Sequence, residues 1–149
     1  MVVFKVDSRS YALPIDRVQE IQQLVEVTPL PDTSKSLVGL VNLRGRVIPA
    51  IDFRLLVGIP QLPYTLETLM IISRTGSELV ALIVDEVQDV VVLPDGCLQE
   101  PARVYALADR MIGMCKLDDD LVFLLDVERL VPADEITSVT KSRGGGEDS

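Results

Sequence analysis

Ala12-Leu13-Pro14-Ile15-Asp16-Arg17-Val18-Gln19-Glu20-Ile21 returns later in the chain as Ala81-Leu82-Ile83-Val84-Asp85-Glu86-Val87-Gln88-Asp89-Val90, with five identities at a constant offset of 69. The remaining pairs are mostly conservative, Ile against Val twice and Glu against Asp once. A second block repeats at an offset of 74. Gly39, Leu43, Val47 to Asp52 and Leu56-Val57 align with Gly113, Leu117, Leu121 to Asp126 and Leu130-Val131. The blocks keep their order, as expected for a duplicated unit of about 70 residues. Two copies are too few for a solenoid and predict a pseudo-twofold pair, whose junction is a natural binding site.

Around these blocks the texture is that of β structure. Val2 to Val6 and Leu69 to Ser73 are apolar runs, each followed by a polar turn and a second run, Tyr11 to Ile15 and Leu79 to Val84. That is the pattern of two hairpins. Further strands are expected at Gln19 to Val27, Gly39 to Leu43, Arg46 to Ile51, Val87 to Leu93, Ile112 to Leu117 and Asp120 to Leu125. Pro14 and Pro49 interrupt two of them, because proline donates no ladder hydrogen bond. Short strands at this spacing predict a mainly β fold of two small barrels with few, short helices. The helices fall at Thr33 to Leu37, Arg54 to Val57 and Val127 to Val131, each behind an Asp suited to an N-cap.

The 149 residues suit a single domain. The reading is one domain over 1–140, with subdomains near 1–65 and 66–135 and a disordered Gly-rich tail over 141–149. Hydrophobic residues make up 48% and aromatics 4%, with no Trp, so Val, Leu and Ile must fill the core. A net charge of -9 argues against nucleic acid as a partner. No apolar run reaches the ~18 residues of a membrane span, and Met1 to Val6 reads as a strand rather than a signal peptide. Direct membrane insertion is therefore not expected.

Catalytic chemistry finds little to stand on. The chain has no His, which removes the commonest general base and zinc ligand. It has no Gly-rich phosphate loop and no nucleophile elbow, and no cofactor is predicted. Asp118-Asp119-Asp120 lacks the glycine and downstream glutamate of a calcium loop and reads as a polar turn. Asp52 and Asp126 are equivalent in the repeat and read as strand-ending helix caps rather than catalytic carboxylates. Cys97 and Cys115 read as buried thiols in a reducing compartment rather than a disulfide.

Where the halves differ, a binding role becomes visible. Asn42-Leu43-Arg44-Gly45-Arg46 aligns with Lys116-Leu117-Asp118-Asp119-Asp120, so a cationic turn in one half answers an anionic turn in the other. Glu20 belongs to the other repeated block of the first half, and a pair with Arg44 forms if the strands bring them together. An ordinary surface salt bridge of that kind contributes about 0 to 1 kcal/mol. Val18, Ile21, Val87 and Val90 hold equivalent places in the two halves. They belong either to the core or to an apolar patch near the pseudo-twofold axis, of the sort that marks a protein-binding site.

Val18-Gln19-Glu20-Ile21, the run Gly39-Leu40-Val41-Asn42-Leu43-Arg44-Gly45-Arg46-Val47-Ile48-Pro49-Ala50-Ile51-Asp52-Phe53-Arg54, and Leu82 to Val90 together resemble the chemotaxis coupling protein family CheW. The resemblance runs in order from about Val3 to Val131, and Asn42-Leu43-Arg44-Gly45 is its most specific part. It implies two five-stranded, SH3-like β-barrels. It also implies a non-enzymatic adaptor between the regulatory domain of the histidine kinase CheA and the cytoplasmic tip of methyl-accepting chemoreceptors. Carried over by position, Val18, Glu20, Arg44, Leu69, Val87 and Val90 face the receptor, and Ile15 and Val27 face the kinase. The implied setting is cytoplasmic, at the membrane-associated receptor array, with a monomer in isolation. Two alternatives accompany this reading: an adaptor of a non-flagellar chemosensory pathway, and a regulatory module of a histidine kinase. The absence of any receiver-like segment disfavours a CheV-like fusion.

Overall fold

In this computed structural model, residues 1–31, 35–94, 96–100 and 107–131 are described. Eleven strands are present among them: β1 Val2–Val6, β2 Arg9–Leu13, β3 Val18–Gln23, β4 Val27–Thr28, β5 Leu37–Leu43, β6 Arg46–Asp52, β7 Leu69–Thr75, β8 Glu78–Val84, β9 Glu86–Val90, β10 Met111–Leu117 and β11 Asp120–Leu125. Two four-residue helices, α1 Phe53–Leu56 and α2 Val127–Leu130, follow β6 and β11. The fold is mainly β with few short helices, as the strand spacing predicts.

The strands form two sheets. Sheet A runs β10-β11-β2-β1-β9 and sheet B runs β3-β7-β8-β6-β5-β4. Sheet B carries β4 as a sixth strand beyond the five expected. Under the two sequence offsets, β10, β11, β2, β1 and β9 correspond in that order to β5, β6, β8, β7 and β3. The plan is therefore duplicated, but each sheet takes its first hairpin from the other half. This overturns the expected division near residue 65: β1 and β2 sit with second-half strands, while β7 and β8 sit with first-half strands. The parallel ladders that join the pieces are themselves equivalent. Leu124 lies opposite Ala12 in sheet A, and Ala50 opposite Ala81 in sheet B. Even the bulges repeat, at Gln19 and Gln88 and at Val38 and Ile112. Such bulges bend a strand and raise its twist, which lets a short sheet curl.

Period-2 alternation divides the core into three. Phe4, Tyr11 and Leu13 of sheet A meet Ile51, Ile71, Val80 and Leu82 of sheet B in a shared core. The opposite faces fill a private core in each sheet: Ile48, Met70, Ile72, Ala81 and Ile83 in one, and Val3, Ala12, Val122 and Leu124 in the other. Strands buried on both faces read as continuous apolar runs, hence Leu79 to Val84. Phe4, Tyr11 and Phe53 supply ring contacts at the centre, with centroids 4.8 to 5.7 Å apart.

Several boundaries differ from expectation. β2 ends at Leu13 because Pro14 cannot continue the ladder, and Ile15–Arg17 form a 3₁₀ turn. Gln19 to Val27 is not one strand but β3 and β4, and β9 stops at Val90. The expected helix at Thr33 to Leu37 begins outside the described residues, and Leu37 itself opens β5. The expected tail over 141–149 also lies outside the described residues. The thiol reading of the cysteines is overturned. Cys97 is joined to Cys115 by a disulfide, and Cys97 is only half-buried. Spacing in sequence carries no information on that proximity, which arises because residues 97–99 lie along β10.

Candidate functional site

β3 and β9 are equivalent strands, and each forms one edge of its sheet. Their alternation sends Val18 and Val87 inward, where both pack half-buried against the shared core together with Leu69. Val90, three residues further along β9 and past the bulge at Gln88, is 56% exposed, and Ile21 is 38% exposed. Three of the expected receptor-facing residues thus line the rim of the shared core. Val90 stands clear of it.

The charged pair of the first half forms. Arg44 Nη2 donates to Glu20 Oε2 at 2.5 Å, with the arginine side chain 65% exposed and the glutamate 27%. The two residues do not lie on adjacent strands: β3 pairs with β7, and the β5–β6 turn reaches Glu20 because sheet B curls. That turn is a two-residue connection with Arg44 at φ 52° and Gly45 at φ 83°, as primed hairpin turns require. The Asn42 carboxamide oxygen accepts the Gly45 N–H at 2.9 Å, fixing the tip. The turn therefore presents Arg44 in one orientation at the surface. In the other half Asp118 takes the same left-handed conformation, φ 55°, with the opposite charge.

Ile15 and Val27 do not come together in the same way. Ile15 is exposed in the 3₁₀ turn that carries the chain from sheet A to sheet B, while Val27 lies half-buried on β4 against the private core of sheet B. Asp52 and Asp126 cap their helices as expected, accepting the Arg54 N–H at 2.9 Å and the Glu128 N–H at 3.1 Å.

Sequence reasoning missed an ion-pair cluster and a cavity. Arg54 Nη1 donates to Asp85 Oδ2 at 2.6 Å and Nη2 reaches Asp7 Oδ1 at 3.5 Å, while Nε donates to the Pro60 carbonyl at 2.9 Å. A cavity of about 290 Å³ beside it is lined by Asp52, Arg54, Tyr64, Glu67 and Asp85 among others. Within it the Tyr64 O–H donates to Asp52 Oδ2 at 2.7 Å. Burial, then the hydrogen bond to Asp52, pushes the Tyr64 phenol well above its ordinary range. Asp85 falls inside the repeated block, but its partners lie 31 and 78 residues away, so no local signal names them. Among the described residues no three acidic or cysteine side chains gather into a metal site, and no helix is long and apolar enough to cross a membrane.

The CheW-like domain model matches residues 1–135. The chain belongs to the CheW-like family. Among known relatives, the chemotaxis protein CheW of Bacillus subtilis is 36% identical over 133 residues, covering 88% of this chain and 85% of its own. CheW of Klebsiella aerogenes is 29% identical, with 93% and 84% covered. The crystal structure of the scaffolding protein TtCheW from Thermoanaerobacter tengcongensis superposes with a TM-score of 0.79 at 29% identity, over 87% of this chain and 84% of the other. This CheW-like chain is accordingly a chemotaxis scaffolding adaptor and not an enzyme. Protein FrzA of Myxococcus xanthus is a further relative, 24% identical over 86% of this chain and 82% of its own.

Proposed function

We propose that this chain couples transmembrane chemoreceptors to the histidine kinase CheA, holding both at the cytoplasmic face of the receptor array. The observation that carries the reading is the Glu20–Arg44 pair, set on a conformationally fixed turn of the half that carries the cationic motif. The receptor tip, a helical hairpin, lays an apolar stripe along Val18, Leu69, Val87 and Val90, and Glu20 and Arg44 set its orientation. This is helix-in-groove recognition, in which apolar side chains give affinity and flanking charges give register. Ile15 and Val27 meet the regulatory domain of CheA. Contacts of modest affinity suit a signal that shifts populations rather than locking one state. The free protein is a monomer.

The test is a calorimetric titration of the protein against a CheA regulatory domain and, separately, a receptor-tip fragment. Arg44→Glu and Val87→Lys, each checked for native circular dichroism, are expected to weaken receptor-tip binding at least about tenfold, which is about 1.4 kcal/mol. Binding to CheA is expected to stay within about twofold, since both variants leave Ile15 and Val27 unaltered. Unchanged receptor binding in both folded variants would sink the assignment of this surface. The similarity to FrzA supports a second reading, in which the same surface serves a different chemosensory pathway. Titrating receptor tips from each pathway of one genome separates the two.

A further inference from the structure

β4 lies beside β5 in sheet B, with Val27 opposite Val41 and Thr28 opposite Leu40. The equivalent of Leu40 in sheet A is Met114, and it too has a lateral partner. Gln99 and Met114 exchange both backbone hydrogen bonds at 2.8 Å, although no strand extends from this bridge. Gly39 and Gly113, again equivalent, make room for these segments. A Cβ would stand 2.1 Å from the Thr28 carbonyl oxygen at Gly39 and 2.9 Å from that of Gln99 at Gly113. Segment 97–99 is thus a reduced counterpart of β4, and it covers β10, which is otherwise the open edge of sheet A.

What secures it is covalent. Cys97 and Cys115 have Cα atoms 5.3 Å apart and are joined, within the spacing a disulfide needs. By the same register, Glu26 and Val41 occupy the matching places in the first half, so only one half carries the link. Cys115 is 1% exposed inside the sheet, whereas Cys97 is half-buried and reachable from solvent. One accessible sulfur beside one shielded sulfur is the arrangement of an attacking and a resolving thiol. Disulfides in intracellular proteins are mostly transient or redox-sensing, and that compartment is the one point at which the inference rests on the adaptor reading.

We propose that Cys97 and Cys115 form a thiol–disulfide exchange site that low-molecular-weight disulfides close and dithiols open, and that its state sets how firmly residues 97–99 cover the β10 edge. In closing, the Cys97 thiolate attacks the small disulfide, forming a mixed disulfide and releasing one thiolate. The Cys115 thiolate then attacks the Cys97 sulfur and releases the second. The protein pair gives up two electrons and two protons, and the small disulfide becomes two thiols. Opening reverses these steps with a dithiol as reductant.

The experiment equilibrates the full chain in mixtures of reduced and oxidised glutathione, traps thiols by alkylation, and reads intact mass and site-resolved amide exchange. Both alkylatable thiols are expected to vanish together across one transition. The Gln99 and Met114 amides are expected to exchange at least about tenfold faster in the reduced protein, as a local opening. In Cys97→Ser these amides should exchange fast in every mixture while those of β7 and β8 stay protected, showing an intact fold. Two thiols that remain alkylatable throughout, or equal exchange at Gln99 and Met114 in both states, would overturn the proposal. No partner enters the measurement, so failure of the adaptor reading leaves this outcome untouched.

Discussion

Sheets A and B place equivalent strands in the same order, yet the charged contacts that tie them together carry opposite sign. Arg54, in α1 of the first half, binds Asp7 at the tip of the first hairpin and Asp85 in the link after β8. Its equivalent in α2 is Glu128, which accepts the Gly76 N–H at 3.2 Å and pairs with Arg17 at 2.9 Å. Asp7 and Gly76 are themselves equivalent. In each half, then, the short helix reaches across the seam to the hairpin that its own half has lent to the other sheet. Duplication preserved the place of the contact and left its chemistry free to diverge. The first half makes the tighter version: the Arg54 side chain is 11% exposed, that of Glu128 41%.

The comparison is broken most directly at the paired glycines. In Gly39→Ala the new methyl meets the Thr28 carbonyl at 2.1 Å, and backbone on backbone cannot yield without lifting β4 away. Overpacking of this kind costs about 3 kcal/mol. At Gly113 the new methyl stands 2.9 Å from the Gln99 carbonyl oxygen, again backbone on backbone but with far less overlap than at Gly39, so the lateral segment is displaced less, at about 1 kcal/mol. Urea unfolding of the two variants measures the difference. Equal losses would mean that β4 and segment 97–99 are not counterparts.

The ion pairs are the next point of attack. Arg54→Ala is expected to cost about 2 kcal/mol, between the values for exposed and buried pairs. It strands the Pro60 carbonyl and the Asp85 carboxylate, which is 33% exposed, while Asp7, 61% exposed, stays solvated. Glu128→Ala is expected to cost about 0.5 kcal/mol, because both partners are already well solvated. Thermal melts at low and high salt check the contrast, and the Glu128 pair should lose the larger fraction of its contribution in salt. A Glu128→Ala loss as large as that of Arg54→Ala would remove the asymmetry.

Much of this was legible in the residues. The two offsets identify the equivalent strands, the capping aspartates and the paired turns, because each is written in a local pattern of apolar alternation and turn chemistry. The Glu20–Arg44 pair was legible as a candidate from charge asymmetry alone. The hairpin exchange was not, since swapping two equivalent hairpins changes no residue's local pattern and alters only which copy it faces. Everything that depends on the exchange was hidden with it, including the Arg54 cluster and the lodging of Val18 and Val87 at the rim of a shared core. The Cys97–Cys115 link was hidden for a related reason: it follows from one isolated bridge, with no strand period to announce it.

The smallest contrast concerns the capping aspartates. Asp52 is 1% exposed, and its outer oxygen accepts the Tyr64 hydroxyl, whereas Asp126 turns the same oxygen to Arg129 Nε at 3.0 Å. One carboxylate is thus satisfied by a neutral acid and the other by a permanent cation. Burial, and then the neighbouring carboxylate, raises the Tyr64 phenol above its ordinary 10.0. The folded protein therefore holds that proton more tightly than the unfolded chain does. By linkage the associated stability is fully present below pH 10.0 and is lost as pH rises above it. Tyr11, raised by burial in the shared core, adds a loss of the same sign. Tyr64→Phe is expected to lower stability by about 1 kcal/mol at pH 7, since Asp52 loses a partner, and to make the decline above pH 10 shallower. Arg129→Ala, in contrast, should shift stability by less than about 0.5 kcal/mol and leave the alkaline slope unchanged. Urea midpoints measured between pH 7 and 11 decide the matter: an alkaline slope in Tyr64→Phe identical to that of the parent would mean that the phenol on Asp52 does not distinguish the two caps.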